Sequence, residues 1–243
     1  MVTGGGRGIG AAVATLLAER GWDVAVGYRE DAGAADAVVE RCRSLGRQAV
    51  SIAADVASEL DVVRRFATVD ETLGRLDGLV SSAGIVAPAS RVDDLRGGRI
   101  ERILAVNVMG PLLCAREAIR RMSPRHGGSG GVIVNLSSAA SRLGSPGEYV
   151  DYAASKGAVD TMTVRLAKEV ADEGIRVNAV RPGLIATGIH ASGGAPDRVE
   201  RLRHHVPMCR GGEPHEVARA VAWLCSDEAS YVTGALLDVS GGR

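Results

Sequence analysis

MVTGGGRGIGAAVATLLAERG (1–21) begins the chain. Five of the eight positions from Thr3 to Gly10 are glycine. An ordered glycine loses more conformational freedom than any other residue, so such a run belongs where a backbone turns tightly or touches a ligand. Just downstream, Ile9, Val13, Leu16 and Leu17 fall on one face of a helix that Gly21 is placed to end. A strand that enters a glycine turn and leaves as a helix presents the unpaired N–H groups of the helix N-terminus to a phosphate. Gly6, Gly8 and Ala11 satisfy the dinucleotide pattern G-x-G-x-x-G/A. A nucleotide-hydrolase loop would carry lysine and then serine or threonine after its last glycine, where Ala11 and Ala12 stand. The stretch predicts a dinucleotide-binding turn.

Only Met1 to Thr3 precede that turn, about 10 Å of extended chain, although in this topology the strand feeding it is central to the sheet. The expectation is a truncated first strand, to which about four apolar residues before Met1 would add stability. Beyond it, short β-rich runs alternate with amphipathic helical stretches: DVAV (23–26), AVSIAA (49–54), DGLVSS (77–82), GVIVNLSS (131–138), RVNAV (176–180) and ALLDV (235–239). Such alternation implies a parallel sheet covered on both faces, and the continuous apolar character of VIV suits strands buried on both sides. No repeat or domain boundary interrupts the pattern. Residues 1–243 therefore read as one α/β domain, a doubly wound Rossmann fold on a seven-stranded parallel sheet. The longest stretch without clear periodicity is 188–210.

With 46% hydrophobic and 24% charged residues, the 243-residue chain can bury a sizeable core. Its formal net charge of +0 removes the field that draws proteins to nucleic acid or anionic membranes, so a small-molecule partner is expected. No apolar run approaches the ~18 residues that span a bilayer, and no signal-peptide pattern opens the chain, which reads as cytoplasmic. Cys42, Cys114, Cys209 and Cys225 form no C-x-x-C pair. His204 and His205 lie near Cys209, but Pro207 breaks any helix between them and zinc needs more ligands, so no metal is expected.

Of 29 basic residues only Lys156 and Lys168 are lysine, so a lysine here stands where arginine's chemistry does not serve. At 149–156 the chain reads YVDYAASK. Tyr152 and Lys156 are one helical turn apart on the same face. A phenol with a pKa near ~10 is a poor acid-base group at neutral pH, and an ammonium beside it is expected to lower that value. Tyr149 has Ala153 four residues on and lacks this helper.

These motifs together resemble the short-chain dehydrogenase/reductase family over essentially the whole chain. They run in order as TGGGRGIG (3–10), Asp55 and Val56 after the third strand, SSAG (81–84), Asn107 in a helix, Ser138 ending VNLSS, YAASK (152–156), PGLIAT (182–187) and ASYVTGALLDVSGG (229–242). The resemblance implies that Tyr152 is the acid-base group and that Ser138, rather than Ser137, hydrogen-bonds the substrate oxygen. It further implies that Lys156 lowers the tyrosine pKa and binds ribose hydroxyls, and that Asn107 holds a relay water. Around the cofactor it places Gly4, Arg7, Gly8, Ile9, Gly10, Arg29, Asp55, Val56, Ala83, Gly84, Tyr152, Lys156, Pro182, Gly183, Ile185 and Thr187. Ser81 and Ser82 replace the two asparagines usual before Ala83, which puts the tethering of that turn in doubt.

Cofactor choice is expected just after the second strand, in VGYRE. There Arg29, with Arg7 from the glycine turn, favours the 2′-phosphate of NADP, while Glu30 is the feature that would suit NAD. The implied reaction interconverts a carbonyl and a secondary alcohol, on a sugar or polyol or a 3-oxoacyl-type ketone. Residues 188–210 would form the substrate lid. The resemblance also implies a homotetramer or homodimer. A non-catalytic dinucleotide-binding redox sensor or scaffold is the competing reading, against which the complete Asn107, Ser138, Tyr152 and Lys156 set argues.

Overall fold

The β-branched runs form seven parallel strands in a computed structural model that describes residues 1–243. They are β1 (Val2–Thr3), β2 (Val24–Tyr28), β3 (Ala49–Ala53), β4 (Gly78–Ser81), β5 (Gly131–Leu136), β6 (Ile175–Pro182) and β7 (Leu236–Val239), in the order β3-β2-β1-β4-β5-β6-β7. The chain winds outward from β1 to β3 and then resumes at β4 on the other side. Loops after β1 and β4 therefore diverge and leave a crevice at the carboxyl edge.

The first strand is the short one expected. Val2 pairs with Val26 and Val80, and Thr3 pairs with Ser81. The Met1 carbonyl accepts the Val80 N–H at 2.8 Å and its ammonium donates to the Gly78 carbonyl at 2.7 Å. Burial lowers that ammonium to about 6. β2 runs past DVAV because Gly27 and Tyr28 pair with Ile52 and Ala53, and β6 runs on to Pro182, which pairs with Val239 of the edge strand.

The intervening helices are α1 (Gly8–Glu19), α2 (Ala32–Ser44), α3 (Glu59–Leu73), α4 (Gly97–Leu104), α5 (Gly110–Met122), α6 (Ala140–Leu143), α7 (Val150–Val170), α8 (Ile189–Ser192), α9 (Arg198–Leu202) and α10 (Pro214–Cys225). α1, α2 and α10 pack on one face of the sheet through Val13, Leu17, Val39 and Val221 against Val24, Val26 and Val134. α3, α5 and α7 pack on the other through Phe66, Val69, Ala118 and Val170 against Ala25, Ile52, Leu79 and Ile133. The inner strands β2, β4 and β5 thus bury both faces, which is why their sequences read as near-continuous apolar runs. Fully burying a side chain such as Phe66 contributes roughly 2–3 kcal/mol. The aperiodic 188–210 stretch contains α8, α9 and a helical turn at Arg203–His205. Each is too short for a 3.6-residue period to emerge from the sequence.

Helix ends differ in a way that matters for the site. Asp31 caps α2 by accepting the Ala34 N–H at 3.0 Å, Ser58 caps α3, and Glu213 with Glu216 forms a capping box on α10. No side chain caps α1. Its first N–H groups are left for something else.

Candidate active site

The carboxyl edge of the sheet opens into one cavity of about 420 Å³, a volume suited to a small organic ligand. The glycine turn forms one wall. Gly4 and Gly8 have φ of +62° and +55°, and a Cβ on Gly10 would lie 2.2 Å from the Gly4 carbonyl oxygen. Gly6, matched above to the first glycine of the pattern, has no such φ, and a Cβ there would meet Ala35 of α2 at 3.3 Å. The closest approaches fall at Gly4 and Gly10 and the positive φ values at Gly4 and Gly8, so the turn is built one step differently from the simple pattern. With the N-terminus of α1 uncapped behind it, this wall fits a pyrophosphate.

Next come the ends of β2 and β3. Arg7, Tyr28, Arg29, Glu30, Asp55 and Val56 all line the cavity. Arg29 does not stand ready beside Arg7 as an unpaired charge, because it forms an exposed ion pair with the adjacent Glu30. Asp55 is gripped by Arg102 of α4 at 2.8 Å and accepts the Ala57 N–H at 2.9 Å. Burial alone would raise its carboxyl, but the Ala57 N–H, Arg102 and Arg29 together hold it below the usual range. Arg102 carried no sequence signal, since its partner lies 47 residues away.

On the other side of β1, Ala83 and Gly84 line the cavity. The tether in doubt for Ser81 and Ser82 comes from elsewhere: Thr3 Oγ1 accepts the N–H groups of Ser82 and Ala83 at 3.0 and 3.1 Å. Ser81 Oγ is buried without a partner. The two-residue β1 thus supplies the side chain that holds the β4 turn.

Ser138, Tyr152 and Lys156 meet in the cavity; Asn107 does not line it. Asn107 sits 0% exposed in a wide π turn, Ala105–Met109, between α4 and α5. Its Oδ1 accepts the Ile85 N–H at 2.9 Å, and its Nδ2 donates to the Ile85 carbonyl and to Ser155 Oγ at 2.9 and 3.1 Å. Both Nδ2 hydrogens are used, so this side chain acts one layer behind the cavity, bracing the loop after β4. Lys156 Nζ donates to the Leu136 carbonyl at 2.7 Å and lies 5.7 Å from the centre of the Tyr152 ring.

Burial works against the expected lowering of the tyrosine by the lysine. Burial pushes the Tyr152 phenol up, with the Ser138 hydroxyl pulling the other way. Burial also brings Lys156 down to about 8, with only Asp160 opposing. Desolvation acts on both groups, on the buried Lys156 and on the half-buried Tyr152 beside it. One of the three ammonium hydrogens is used on the Leu136 carbonyl, which leaves two for other acceptors. Ser138 Oγ accepts the Ala140 N–H at 3.1 Å, whereas Ser137 donates to the Lys156 carbonyl at 3.2 Å and serves the α7 backbone. Of the two serines, Ser138 is the one that faces Tyr152.

Pro182, Gly183, Ile185 and Thr187 close the remaining wall, followed by His190, Ser192 and Gly193. A Cβ on Gly193 would be 3.0 Å from Val86, so this segment reaches across to the loop after β4. Arg198 of α9 pairs with Glu148 at 2.6 Å and lies 4.9 Å over the ring of Tyr149. His190 Nε2 faces the Ile185 carbonyl at 2.8 Å. His190 and Arg198 were not singled out by sequence reasoning, because nothing local marks a polar residue in an aperiodic stretch as cavity-lining. No three His, Cys, Asp or Glu side chains converge in the geometry of a metal site.

Residues 4–243 match the family model described as enoyl-(acyl carrier protein) reductase. Over 243 residues the chain is 54% identical to the uncharacterized oxidoreductase YgfF of Escherichia coli K12, covering 100% of this chain and 98% of that one. It is 37% identical to glucose 1-dehydrogenase 2 of Bacillus subtilis 168, covering 100% and 93%. A short chain dehydrogenase from Burkholderia cenocepacia J2315, solved in complex with NADP, superposes with a TM-score of 0.90 at 36% identity, covering 99% of this chain and 95% of that one. The chain belongs to the short-chain dehydrogenase/reductase family. As a short-chain dehydrogenase/reductase it is an NAD(P)-dependent enzyme acting on small molecules. No helix of this reductase is long and apolar enough to cross a membrane.

Proposed function

We propose that the protein is an NADP(H)-dependent oxidoreductase that interconverts a carbonyl and a secondary alcohol, with 1–243 acting as one catalytic domain. The observation that carries this is the meeting of Ser138, Tyr152 and Lys156 in the cavity that also contains the glycine turn. A bound nicotinamide dinucleotide supplies or accepts the hydride. Gly4, Arg7, Gly8, Ile9 and Gly10 hold its phosphates, with Arg29, Asp55, Val56, Ala83, Gly84, Pro182, Gly183, Ile185 and Thr187 around the rest. The Tyr152 hydroxyl, kept protonated by burial, gives its proton to the carbonyl oxygen as charge develops there, and Ser138 donates a hydrogen bond to the same oxygen. Lys156, anchored on Leu136, holds the ribose side of the site, and Asn107 keeps the loop after β4 in register.

Residues 188–210 act as the substrate lid. Because a carbonyl only accepts, the hydrogen of His190 is on Nε2, which leaves Nδ1 as an acceptor. Burial and Arg198 lower the His190 pKa, against the pull of the Ile185 carbonyl, and keep the ring neutral. A neutral acceptor at the lid supports a hydroxylated substrate, a sugar or polyol, over a 3-oxoacyl-type ketone. Exposed Leu104, Met109 and Leu112, along α4, the π turn and α5, support assembly with further copies, as a homotetramer or homodimer, and we read the enzyme as cytoplasmic.

The test is NADPH oxidation with a panel of ketones, aldehydes and hydroxyketones, beside Tyr152→Phe. The variant should lose at least a hundredfold in kcat, the size of a general-acid contribution, while its NADPH affinity stays within about twofold. A Tyr152→Phe enzyme as active as its parent overturns the mechanism.

A further inference from the structure

α3 buries Val62, Phe66 and Val69 on one stripe, and Arg65 stands on that stripe. Arg65 is 1% exposed. One Nη2 hydrogen reaches the Ala54 carbonyl at the end of β3, whereas Nε and Nη1 are buried with no partner. No carboxylate lies within ion-pair distance of it. The acids nearest to it are committed elsewhere, Asp61 to Arg64 and to the Asp55 N–H, and Asp55 to Arg102. Its other titratable neighbour, Cys114, is pushed up to about 11 by burial and is a neutral thiol. Burial lowers the Arg65 pKa, yet a guanidinium keeps its proton at any ordinary pH. An uncompensated buried charge is among the costlier features a fold can hold, so its place in the molecule is informative.

That place is the floor of the cavity beneath the end of β2. A Cβ on Gly27 would come within 3.2 Å of the Arg65 guanidinium carbon, so the strand gives up a side chain to admit the charge. Gly27 leads directly into Tyr28, Arg29 and Glu30, where a doubly wound fold meets the adenosine ribose. Of the four arginines lining the cavity from the glycine turn to α4, Arg29 is neutralised by Glu30 and Arg102 by Asp55. Arg7 is exposed and screened by water. Arg65 is left as the unneutralised charge in a region of low dielectric, where its field on an incoming anion is strongest.

We infer that Arg65 is a selectivity residue of the cofactor site, its buried guanidinium favouring the dinucleotide with an additional adenosine phosphate, NADP(H), over NAD(H). The inference rests on the cavity's being the dinucleotide site. Arg65 is a positioning charge and not a catalytic residue.

The experiment measures Kd for NADPH and for NADH by nicotinamide fluorescence titration of the full chain, for the parent, Arg65→Met and Arg65→Gln, together with Tm in the absence of dinucleotide. Arg65→Met should weaken NADPH about tenfold, the scale of one charge-assisted interaction, and leave NADH within about twofold. It should also raise the cofactor-free Tm, because an apolar chain of similar length replaces an unpaired charge. Arg65→Gln keeps a donor for Ala54 without the charge and should show the same change in the NADPH-to-NADH ratio, even if Arg65→Met does not fold. A ratio unchanged in the folded variants overturns the inference and assigns Arg65 a purely structural role. A parent that prefers NADH overturns the NADP(H) reading instead, and the shift of the ratio between parent and variants still decides the part played by Arg65.

Discussion

An alanine at Gly10 probes the dinucleotide turn at its tightest point. The added Cβ would sit 2.2 Å from the Gly4 carbonyl oxygen, 2.9 Å from its carbon and 3.1 Å from Gly5 Cα. All three are backbone atoms and no rotamer relieves them. A carbon and a carbonyl oxygen rest at about 3.3 Å, so the β1–α1 turn has to open by roughly 1 Å. Overpacking of this kind costs on the order of 1–3 kcal/mol. In a chain of this size each kcal/mol lowers Tm by about 2–4 °C, which gives a fall on the order of 5–10 °C. The same displacement draws the α1 N-terminus back from a bound phosphate, and one hydrogen bond to a charged group is worth about 1.5–3 kcal/mol, about ten- to a hundredfold in affinity. Gly6→Ala is the control, since its Cβ would meet only Ala35, at 3.3 Å, through a helix packed on the outside of the turn. We expect NADPH affinity to fall at least about tenfold in Gly10→Ala and by less than about threefold in Gly6→Ala, read by fluorescence titration beside thermal melts. If Gly10→Ala binds NADPH as the parent does, the packing argument for this turn is wrong.

Lys156→Met should be more stable than the parent at pH 7 in the absence of dinucleotide. Below pH 8 the lysine is charged in both folded and unfolded chains, and the fold bears its full desolvation; between about 8 and the ordinary 10.5 the unfolded chain holds a proton that the fold has shed. The parent therefore gains stability with rising pH, by about 3 kcal/mol, and the variant's advantage should vanish by pH 10.5. Urea unfolding of both proteins at several pH values checks this, and an advantage independent of pH refutes it. Arg198→Ala removes the lid's ion pair with Glu148 and its contact with Tyr149. It should raise KM for the carbonyl substrate about tenfold with NADPH affinity within about twofold, and equal losses in both would mean that Arg198 supports the fold and not the lid.

The amino-acid sequence by itself determined what depends on near neighbours in the chain. The glycine turn, the apolar face of α1 and the β-branched runs are local patterns, and strict alternation of strand and helix leaves few ways to wind a parallel sheet. Tyr152 and Lys156 could be paired because a helix brings positions four apart together. Motif order supplied the rest of the expected site, all of which except Asn107 lines the cavity. Arg65 was also open to discovery, as a charge on the apolar stripe of Val62, Phe66 and Val69.

Tertiary structure alone decided which charges are free and which are dry. Asp55 meets Arg102, Thr3 holds the turn after β4, and Glu148 meets Arg198 across separations of 47, 79 and 50 residues. It placed Asn107 behind the cavity, and it set burial against the lowering expected for the Tyr152 phenol. The physical reason is the same in each case: desolvation and ion pairing depend on what distant segments bring to a point, and a motif specifies the residue at that point without specifying how much water remains around it.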